Sequence, residues 1–176
     1  MKGPISNFLF RGMAAEFVVR DWLRPPERTL AETELRPGQT VLDYGCGPGS
    51  FTVAAAKAVG STGTVYAADI HPLALAYVER RAAKKGLWNI RTIRTDCATR
   101  LADASVDVAL IYDALHDFAR PDDVLREVCR VLKPGGTLSF ADFTLSRAKT
   151  LARLTGDGLF RLVRQGKRTY TLAPVA

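Results

Sequence analysis

A glycine-rich segment carries the strongest chemical signal in this sequence. It reads D-Y-G-C-G-P-G, begins at Asp43, and contains Gly45, Gly47 and Gly49. Glycine allows close approach of the backbone to another group and tolerates positive φ angles. Ser50 stands where the third glycine of the dinucleotide-binding G-x-G-x-x-G would fall, and no G-K-[S/T] follows to cradle phosphates. The loop alone does not identify its ligand, because tight strand-to-helix turns also use glycine.

Two further acids end the next two predicted strands. Asp69 closes residues 63–69, and Asp96 closes residues 89–96. Parallel strands end at one edge of a sheet, so these acids and Asp43 can converge on one ligand. An acid at the second strand end can bind both hydroxyls of an adenosine ribose, and one at the third can accept a hydrogen bond from an adenine amino group. The alternative for each acid by itself is a solvated strand end or a helix cap.

The elements that would position these acids alternate between short β-branched strands and longer helices. This alternation predicts βαβ units, an α/β fold and a mainly parallel sheet that binds its ligand at the carboxyl ends of the strands. Residues 159–174 alternate around a turn and predict an antiparallel hairpin added to that sheet. The other predicted strands are 40–44, 63–69, 89–96, 105–113 and 136–143, and the predicted helices are 5–24, 50–60, 72–86 and 121–136.

The composition favours a protein of the cytoplasm. The chain has 176 residues, of which 47% are hydrophobic, and three widely spaced cysteines without a C-x-x-C pair. This usage indicates reduced thiols and predicts no metal site. No apolar run approaches the roughly 18 residues that would predict a transmembrane segment. The net charge is +7, and residues 147–168 are strongly basic. We interpret them as a solvated edge, with a nucleic-acid patch as the alternative.

Several segments together resemble the successive motifs of class I S-adenosylmethionine-dependent methyltransferases of small-molecule type. The resemblance covers about residues 36–174. It implies a Rossmann-like, doubly wound seven-stranded sheet, mostly parallel, with the hairpin as its last two strands. It also implies S-adenosyl-L-methionine as the cofactor and a small-molecule substrate. The segments are VLDYGCGPGSFT (41–52), VYAADIHP (65–72), TDCATRL (95–101), SVDVALIYDALHDF (105–118) and LREVCRVLKPGGTLSFADF (125–143).

The resemblance assigns roles to residues at matching positions. The three glycines would let the backbone approach the methionine part of the cofactor, and Asp43 would hold its amino group directly or through water. Asp69 would bind the ribose hydroxyls, and Asp96 the adenine amino group. Such a cofactor carries no phosphate and is net cationic, so it suits a pocket edged by carboxylates. The other expected cofactor-binding residues are Tyr44, Cys46, Ile70, Cys97 and Tyr112.

His116 and Asp113 are the expected catalytic residues. Methyl transfer depends largely on positioning, and a base is needed only if the nucleophile carries a proton. His116 follows the fourth strand, where related methyltransferases often place a histidine; a structural histidine is the equal alternative. The family more often has two histidines in a row, and here Asp117 occupies the second position. His71 is expected as a helix cap or at the cofactor edge.

The chain is expected to form one domain over residues 1–176, with a helical cover segment over 1–35 and a Rossmann-like core over 36–176. The alternative for the N-terminal helix is an interfacial membrane helix whose Arg11, Arg20 and Arg24 face headgroups. An open site could also be completed in a homodimer. Two other classes remain as alternatives: an NAD(P)-dependent oxidoreductase, and a non-catalytic S-adenosylmethionine-binding or RNA-associated protein.

Overall fold

Seven strands form one mixed sheet in the computed structural model, which describes residues 4–142 and 147–175. The first five strands run parallel, and the last strand lies antiparallel between the fifth and the sixth. This arrangement confirms the predicted fold class, including the C-terminal hairpin. The strands are β1 (Thr40–Tyr44), β2 (Thr64–Asp69), β3 (Ile90–Arg94), β4 (Val106–Tyr112), β5 (Leu132–Ala141), β6 (Phe160–Gln165) and β7 (Tyr170–Pro174).

The order of the strands across the sheet is β3-β2-β1-β4-β5-β7-β6. Successive strands are therefore added to one side of β1 up to β3 and to its other side from β4 onward, and open α/β sheets bind their ligands at such a switch point. Among the described residues, no helix combines the length and apolar content needed to cross a bilayer. The helices are α1 (Asn7–Leu23), α2 (Pro26–Leu30), α3 (Ser50–Val59), α4 (Pro72–Lys85), α5 (Pro121–Val131) and α6 (Arg147–Thr155).

Helices cover both faces of the sheet because successive strand residues point to opposite sides. Val41 and Leu110 are fully buried in the core cluster that includes the apolar residues of α3. Leu42 and Ile111, their neighbours in sequence, are fully buried in the cluster that includes α5. The central strands are thus apolar on both faces, and Asp43 and Asp69 lie near the carboxyl ends of β1 and β2.

The fifth strand begins earlier than the sequence pattern predicts. The helix expected over residues 121–136 ends at Val131, and β5 starts at Leu132. Pro134 disfavours helical dihedral angles at the residue before it, and Gly135 has a φ of +81°. These residues bulge out of the sheet, because the pairing of β5 with β4 shifts register across them.

The segment between β5 and the hairpin contains α6, a helix that the sequence analysis did not predict. Leu154 is almost fully buried in the core cluster on the α5 side of the sheet, and Thr150 is also buried. Phe143, the predicted end of the fifth strand, lies outside the described residues, as does the side chain of Arg147.

Two of the loop glycines bring the elements of the switch point together. Gly45 has a φ of +77°, and a Cβ atom there would lie 2.7 Å from the Cβ of Ala114, in the loop after β4. Gly49 has a φ of +84°, and a Cβ atom there would lie 2.7 Å from Cγ2 of Val78 in α4. Both positions therefore exclude a side chain, the first beside the loop after β4 and the second between α3 and α4.

Candidate functional site

A cavity of about 780 Å³ lies at the carboxyl ends of β1, β2, β3 and β4. This is the switch point of the sheet, and the volume is in the range of small-molecule sites. Residues of α1 also line the cavity, so the N-terminal helix forms part of its wall. The lining contains most of the predicted site residues: Asp43, Tyr44, Gly45, Cys46, Gly47, Asp69, Ile70, Asp96, Tyr112 and Asp113.

Three predicted site residues do not line the cavity. Gly49 packs against Val78 of α4, as described above. Cys97 packs its side chain against the core. His116 is not part of the lining but borders it on the turn that follows β4, with a ring nitrogen within 4.8 Å of a carboxylate oxygen of Asp113. The structure therefore divides the predicted set into ten residues that line the cavity and three that support it from behind or border it.

Asp43 is the most deeply buried acid of the site, with 2% of its surface exposed. Burial raises the pKa of its carboxyl group to about 7, and the nearby charge of Asp69 acts in the same direction. A hydrogen bond donated by the Thr52 hydroxyl at 2.5 Å opposes this rise. A cation in the cavity would favour the ionised form, because an opposite charge nearby lowers the pKa of an acid.

Asp69 connects the glycine loop to the beginning of α4. Its two carboxylate oxygens accept hydrogen bonds from the N–H of Gly47 at 2.9 Å and from the N–H of His71 at 2.8 Å. Burial raises the pKa of this acid, although both N–H donors oppose the rise. A carboxylate offers about four acceptor positions, so two remain for a ligand with neighbouring hydroxyl groups.

Asp96 lies at the more open side of the cavity. Its carboxylate is 3.1 Å from the guanidinium of Arg120, and both side chains are about half exposed. An exposed ion pair of this kind contributes at most about 1 kcal/mol to stability. A ligand that offers hydrogen-bond donors can therefore displace Arg120 from Asp96 at low cost.

Tyr44 and Tyr112 form aromatic walls, and the protein itself holds their hydroxyl groups. Tyr44 donates a hydrogen bond to the carbonyl oxygen of Cys97 at 2.8 Å. The hydroxyl of Tyr112 lies 2.7 Å from the hydroxyls of Thr33 and Ser139. Burial raises the pKa of Tyr112 to about 12. Both rings thus serve as neutral packing surfaces rather than as acids.

Cys46 lines the cavity as a small side chain. Its burial raises the pKa of the thiol, and the charges of Asp43 and Asp69 add to this effect. A thiol with a raised pKa remains protonated at neutral pH and is a poor nucleophile. The structure therefore agrees with a packing role for Cys46.

Asp113 and His116 meet at the end of β4. The Oδ1 atom of Asp113 is buried, and no partner binds it within the described part of the chain. The Nδ1 atom of His116 lies 2.9 Å from the carboxylate of Asp142, and its Nε2 atom lies 3.6 Å from Asp117. Burial lowers the pKa of His116, but the hydrogen bond and the charges of these acids outweigh it, so its pKa is raised overall.

The inner face of α1 supplies cavity residues that the sequence analysis missed. Phe17 lines the cavity, and the guanidinium of Arg20 lies 3.8 Å above its ring while pairing with Asp21 at 2.8 Å. The expectation that Arg20 would face headgroups in the interfacial alternative is wrong, because this side chain lines the cavity. Phe10 and Met13 precede these two residues at helical spacing and also line it, so periodicity could have identified this face.

Two further aromatic residues of the lining were not predicted. Phe51 of α3 packs edge-on against Tyr112, with ring centroids 4.6 Å apart. Phe118, on the turn after β4, packs edge-on against Tyr44 at 5.4 Å. These pairs contribute four aromatic rings to the lining of the cavity.

His71 holds the segment from Ile5 to Phe10 beside the cavity. Its Nδ1 atom accepts a hydrogen bond from the N–H of Leu73 at 3.1 Å and so caps α4. Its Nε2 atom lies 3.0 Å from the carbonyl oxygen of Ile5, and its ring stacks on Phe10 at 4.3 Å. A nitrogen that accepts from a backbone N–H carries no proton, so Nε2 is the donor to Ile5.

Acids outnumber bases in the cavity wall, which favours a cationic or zwitterionic ligand over a polyphosphate. The unpartnered oxygen of Asp113 is a further place for a positive charge or a donor group. This set of carboxylate acceptors therefore fits the sulfonium cofactor that the sequence resemblance implies. The acids in the lining are Asp43, Asp69, Asp96, Asp113 and Asp117, and the bases are Arg20, Arg94 and Arg120, with His71 as a neutral ring.

This chain resembles known proteins of one family. The family model described as a methyltransferase domain matches residues 35–172. The ubiquinone/menaquinone biosynthesis C-methyltransferase UbiE of Hydrogenovibrio crunogenus is 36% identical over 121 residues, which are 68% of this chain and 48% of that protein. The protein of the same name from Ectopseudomonas mendocina is 36% identical over 129 residues, or 72% of this chain and 50% of that protein. The chain thus spans about half the length of these curated relatives.

A solved structure extends the similarity to almost the whole chain. The structure of a SAM-dependent methyltransferase from Aquifex aeolicus superposes with a TM-score of 0.81 at 25% sequence identity. The match covers 96% of this chain and 97% of that one.

We expect Asp43→Asn to change how the stability of the protein depends on pH. The pKa of Asp43 is about 7 in the folded protein and about 3.9 in an unfolded chain. Between these values the native state holds a proton that the unfolded chain releases, so the wild type loses stability as the pH rises, by at most about 1.4 kcal/mol per pH unit from this group. Urea denaturation from pH 4 to 8 should show a shallower decline for the variant, and parallel curves would contradict the assigned pKa.

Proposed function

The chain belongs to the class I S-adenosylmethionine-dependent methyltransferases, and we propose that it methylates a small aromatic acceptor that carries an ionisable hydroxyl group. S-adenosylmethionine, the cofactor of this family, supplies an electrophilic methyl group on a sulfonium. Membership of this family argues against the alternative function of an NAD(P)-dependent oxidoreductase. The aromatic lining of the cavity, which includes Tyr112 beside Asp113, is the observation that carries the proposal.

The three strand-end acids hold the cofactor in this proposal. Asp43 binds the amino group of its methionine part, and Asp69 uses its two remaining acceptor positions for the ribose hydroxyls. Asp96 accepts a hydrogen bond from the adenine amino group after Arg120 moves aside. Gly45 and Gly47 line the cavity without side chains, and the backbone there leaves room for the ligand.

Four rings make the remaining wall suitable for a flat acceptor. Phe17 and Phe51 both lie near the guanidinium of Arg20, at 3.8 and 5.8 Å from their ring centroids. Tyr112 packs on Phe51, and Phe118 lies on the turn after β4. Aromatic rings favour edge-to-face or offset contacts with another ring, so this wall selects an aromatic acceptor over a flexible polar one.

Asp113 and His116 handle the acceptor's proton. The buried, unpartnered oxygen of Asp113 accepts a hydrogen bond from the acceptor hydroxyl and orients it. His116 receives the proton of that hydroxyl at Nε2, because Asp142 occupies Nδ1. Loss of this proton increases the electron density of the acceptor, which is then a better nucleophile toward the methyl group.

The curated relatives support this class of acceptor. The name of these proteins describes C-methylation in ubiquinone and menaquinone biosynthesis.

The basic stretch 147–168 offers weaker support for the RNA-associated alternative. Arg153 pairs with Asp122 at 2.7 Å, and Arg164 lies 3.4 Å from Glu34. These cations are therefore partly neutralised by the protein. The methyl-transfer assay therefore includes total RNA as an alternative substrate.

A methyl-transfer assay tests the acceptor class. Tritiated S-adenosylmethionine is incubated with the protein and either a water-soluble methoxy-substituted hydroquinone, the corresponding oxidised quinone, or total RNA. We expect label to enter the hydroquinone and not the quinone, because only the reduced form carries a hydroxyl proton. Label in RNA alone, or equal label in both redox forms, would contradict the proposal.

Asp69→Ala should weaken the binding of S-adenosylhomocysteine. Losing charge-assisted hydrogen bonds to the ribose costs about 1.5–3 kcal/mol, which is roughly a tenfold to hundredfold rise in Kd. Isothermal titration calorimetry measures this change. Asp157→Ala, which removes an exposed carboxylate between α6 and β6, is the matched control and should bind like the wild type. An unchanged Kd for Asp69→Ala would refute the ribose assignment.

Asp142→Asn should move the pH profile of turnover. The charge of Asp142 raises the pKa of His116, and a base is active only when unprotonated. Without that charge the rising limb of turnover against pH should shift to lower pH. His116→Ala should lower turnover at all pH values while leaving the affinity for S-adenosylhomocysteine nearly intact. An unmoved profile in the first variant, or full turnover in the second, would return His116 to a structural role.

A further inference from the structure

Helix α1 has two apolar faces, and the protein buries only one of them. Phe10 and Ala14 are 2% and 3% exposed and pack against Leu73 and Ala74 of α4. Phe17, on the same side, lines the cavity. These contacts fix the orientation of the helix and turn its opposite face away from the protein.

The outer face of α1 carries large apolar side chains that remain exposed. Phe8 is 83% exposed and Trp22 is 81% exposed. At about 100° per residue, Phe8, Val19, Trp22 and Leu23 fall within roughly a third of the helix circumference. A contiguous exposed apolar surface of this kind marks an interaction site. The exposed apolar residues of the helix are Phe8, Leu9, Val18, Val19, Trp22 and Leu23.

Positive charge lies on α1 and elsewhere at the same edge of the sheet. Phe140 pairs with Tyr170, so the turn between β6 and β7 lies at the carboxyl end of β5, the same edge of the sheet as the cavity that α1 covers. The chain as a whole carries a net charge of +7. Near α1 and in this turn the exposed cations are Arg11, Arg24, Arg28, Lys167 and Arg168, against the exposed acids Glu16, Glu27 and Glu34 and the half-buried Glu32, whose carboxylate accepts hydrogen bonds from the turn.

We propose that the outer face of α1 docks on a lipid bilayer that contains anionic headgroups. Trp22 and Phe8 lie at the boundary between headgroups and acyl chains, and the bordering arginines contact the anionic headgroups. The complementarity of charge distinguishes this occupant from a second copy of the chain, which would bring the same cations together. The helix lies on the surface, since none of the described helices can cross a bilayer.

Docking places the cavity beside the lipid. The inner face of the same helix lines the cavity through Phe10, Met13 and Phe17, so one helix separates the bilayer from the site. The proposal does not depend on the identity of the methyl acceptor, and methyl transfer to a water-soluble compound is compatible with it.

The chain contains only two tryptophans, which gives a direct test. Trp88→Phe leaves Trp22 on the outer face of α1 as the reporter. Trp22→Phe leaves Trp88, which is 88% exposed before β3 at the opposite edge of the sheet. With vesicles of phosphatidylcholine and phosphatidylglycerol, we expect a blue shift and protection from aqueous quenchers for Trp22 and no change for Trp88. Pure phosphatidylcholine vesicles should give a smaller shift.

Substitutions of the face give a second readout. Phe8→Ser combined with Trp22→Ser should reduce sedimentation with anionic vesicles by roughly tenfold or more, because two large apolar side chains lose their contact with lipid. Trp88→Ser is the matched control and should sediment like the wild type. The melting temperature with S-adenosylhomocysteine should show that both variants remain folded and bind cofactor, which separates this result from a failure of the proposed function.

Two outcomes would overturn the proposal. The first is the absence of any Trp22 response to either kind of vesicle. The second is a blue shift of Trp22 that depends on protein concentration without lipid, together with a dimer in sedimentation velocity, since a second copy would then cover the face.

Discussion

The carboxylate of Asp69 is the constraint on which the architecture of the site depends. It joins the N–H of Gly47 to the N–H of His71 and so fixes the glycine loop against the first turn of α4. The ring of His71 in turn caps α4 by accepting a hydrogen bond from the N–H of Leu73, and it donates a hydrogen bond to the carbonyl oxygen of Ile5. A continuous chain of hydrogen bonds thus runs from the end of β2 to the segment that precedes α1, and it sets where the covering helix lies.

The buried acidic residues of the site lower the stability of the folded protein. A buried carboxyl group costs free energy when ionised, and burial accordingly raises the pKa values of Asp43 and Asp69. Asp113 adds a buried oxygen that no described group satisfies. Such local conflicts are expected where a ligand supplies the missing partner. In the proposed function the cofactor would supply partners to Asp43 and Asp69, and the acceptor hydroxyl would supply one to Asp113, so ligand binding and stability would be linked through the same groups.

Helix α1 connects two functions in the proposals made for this protein. Its inner residues Phe17 and Arg20 belong to the cavity, and its outer residues Phe8 and Trp22 face away from it. A helix with two apolar faces is normally covered on both of them. Here only one side is covered by the chain, and the proposed lipid surface covers the other. Helix α1 would then both bind the membrane surface and cover the cavity.

The sequence by itself determined the sheet and the position of the site. Strand and helix periodicity are local, and parallel strands must end together, so the convergence of Asp43, Asp69 and Asp96 on one edge could be predicted. The tertiary structure alone decided which partners meet. It turned Gly49 toward α4 rather than toward the cavity, and it paired His116 with Asp142 across 26 residues of chain. Such contacts depend on the packing of distant segments, which no local pattern of residue types encodes.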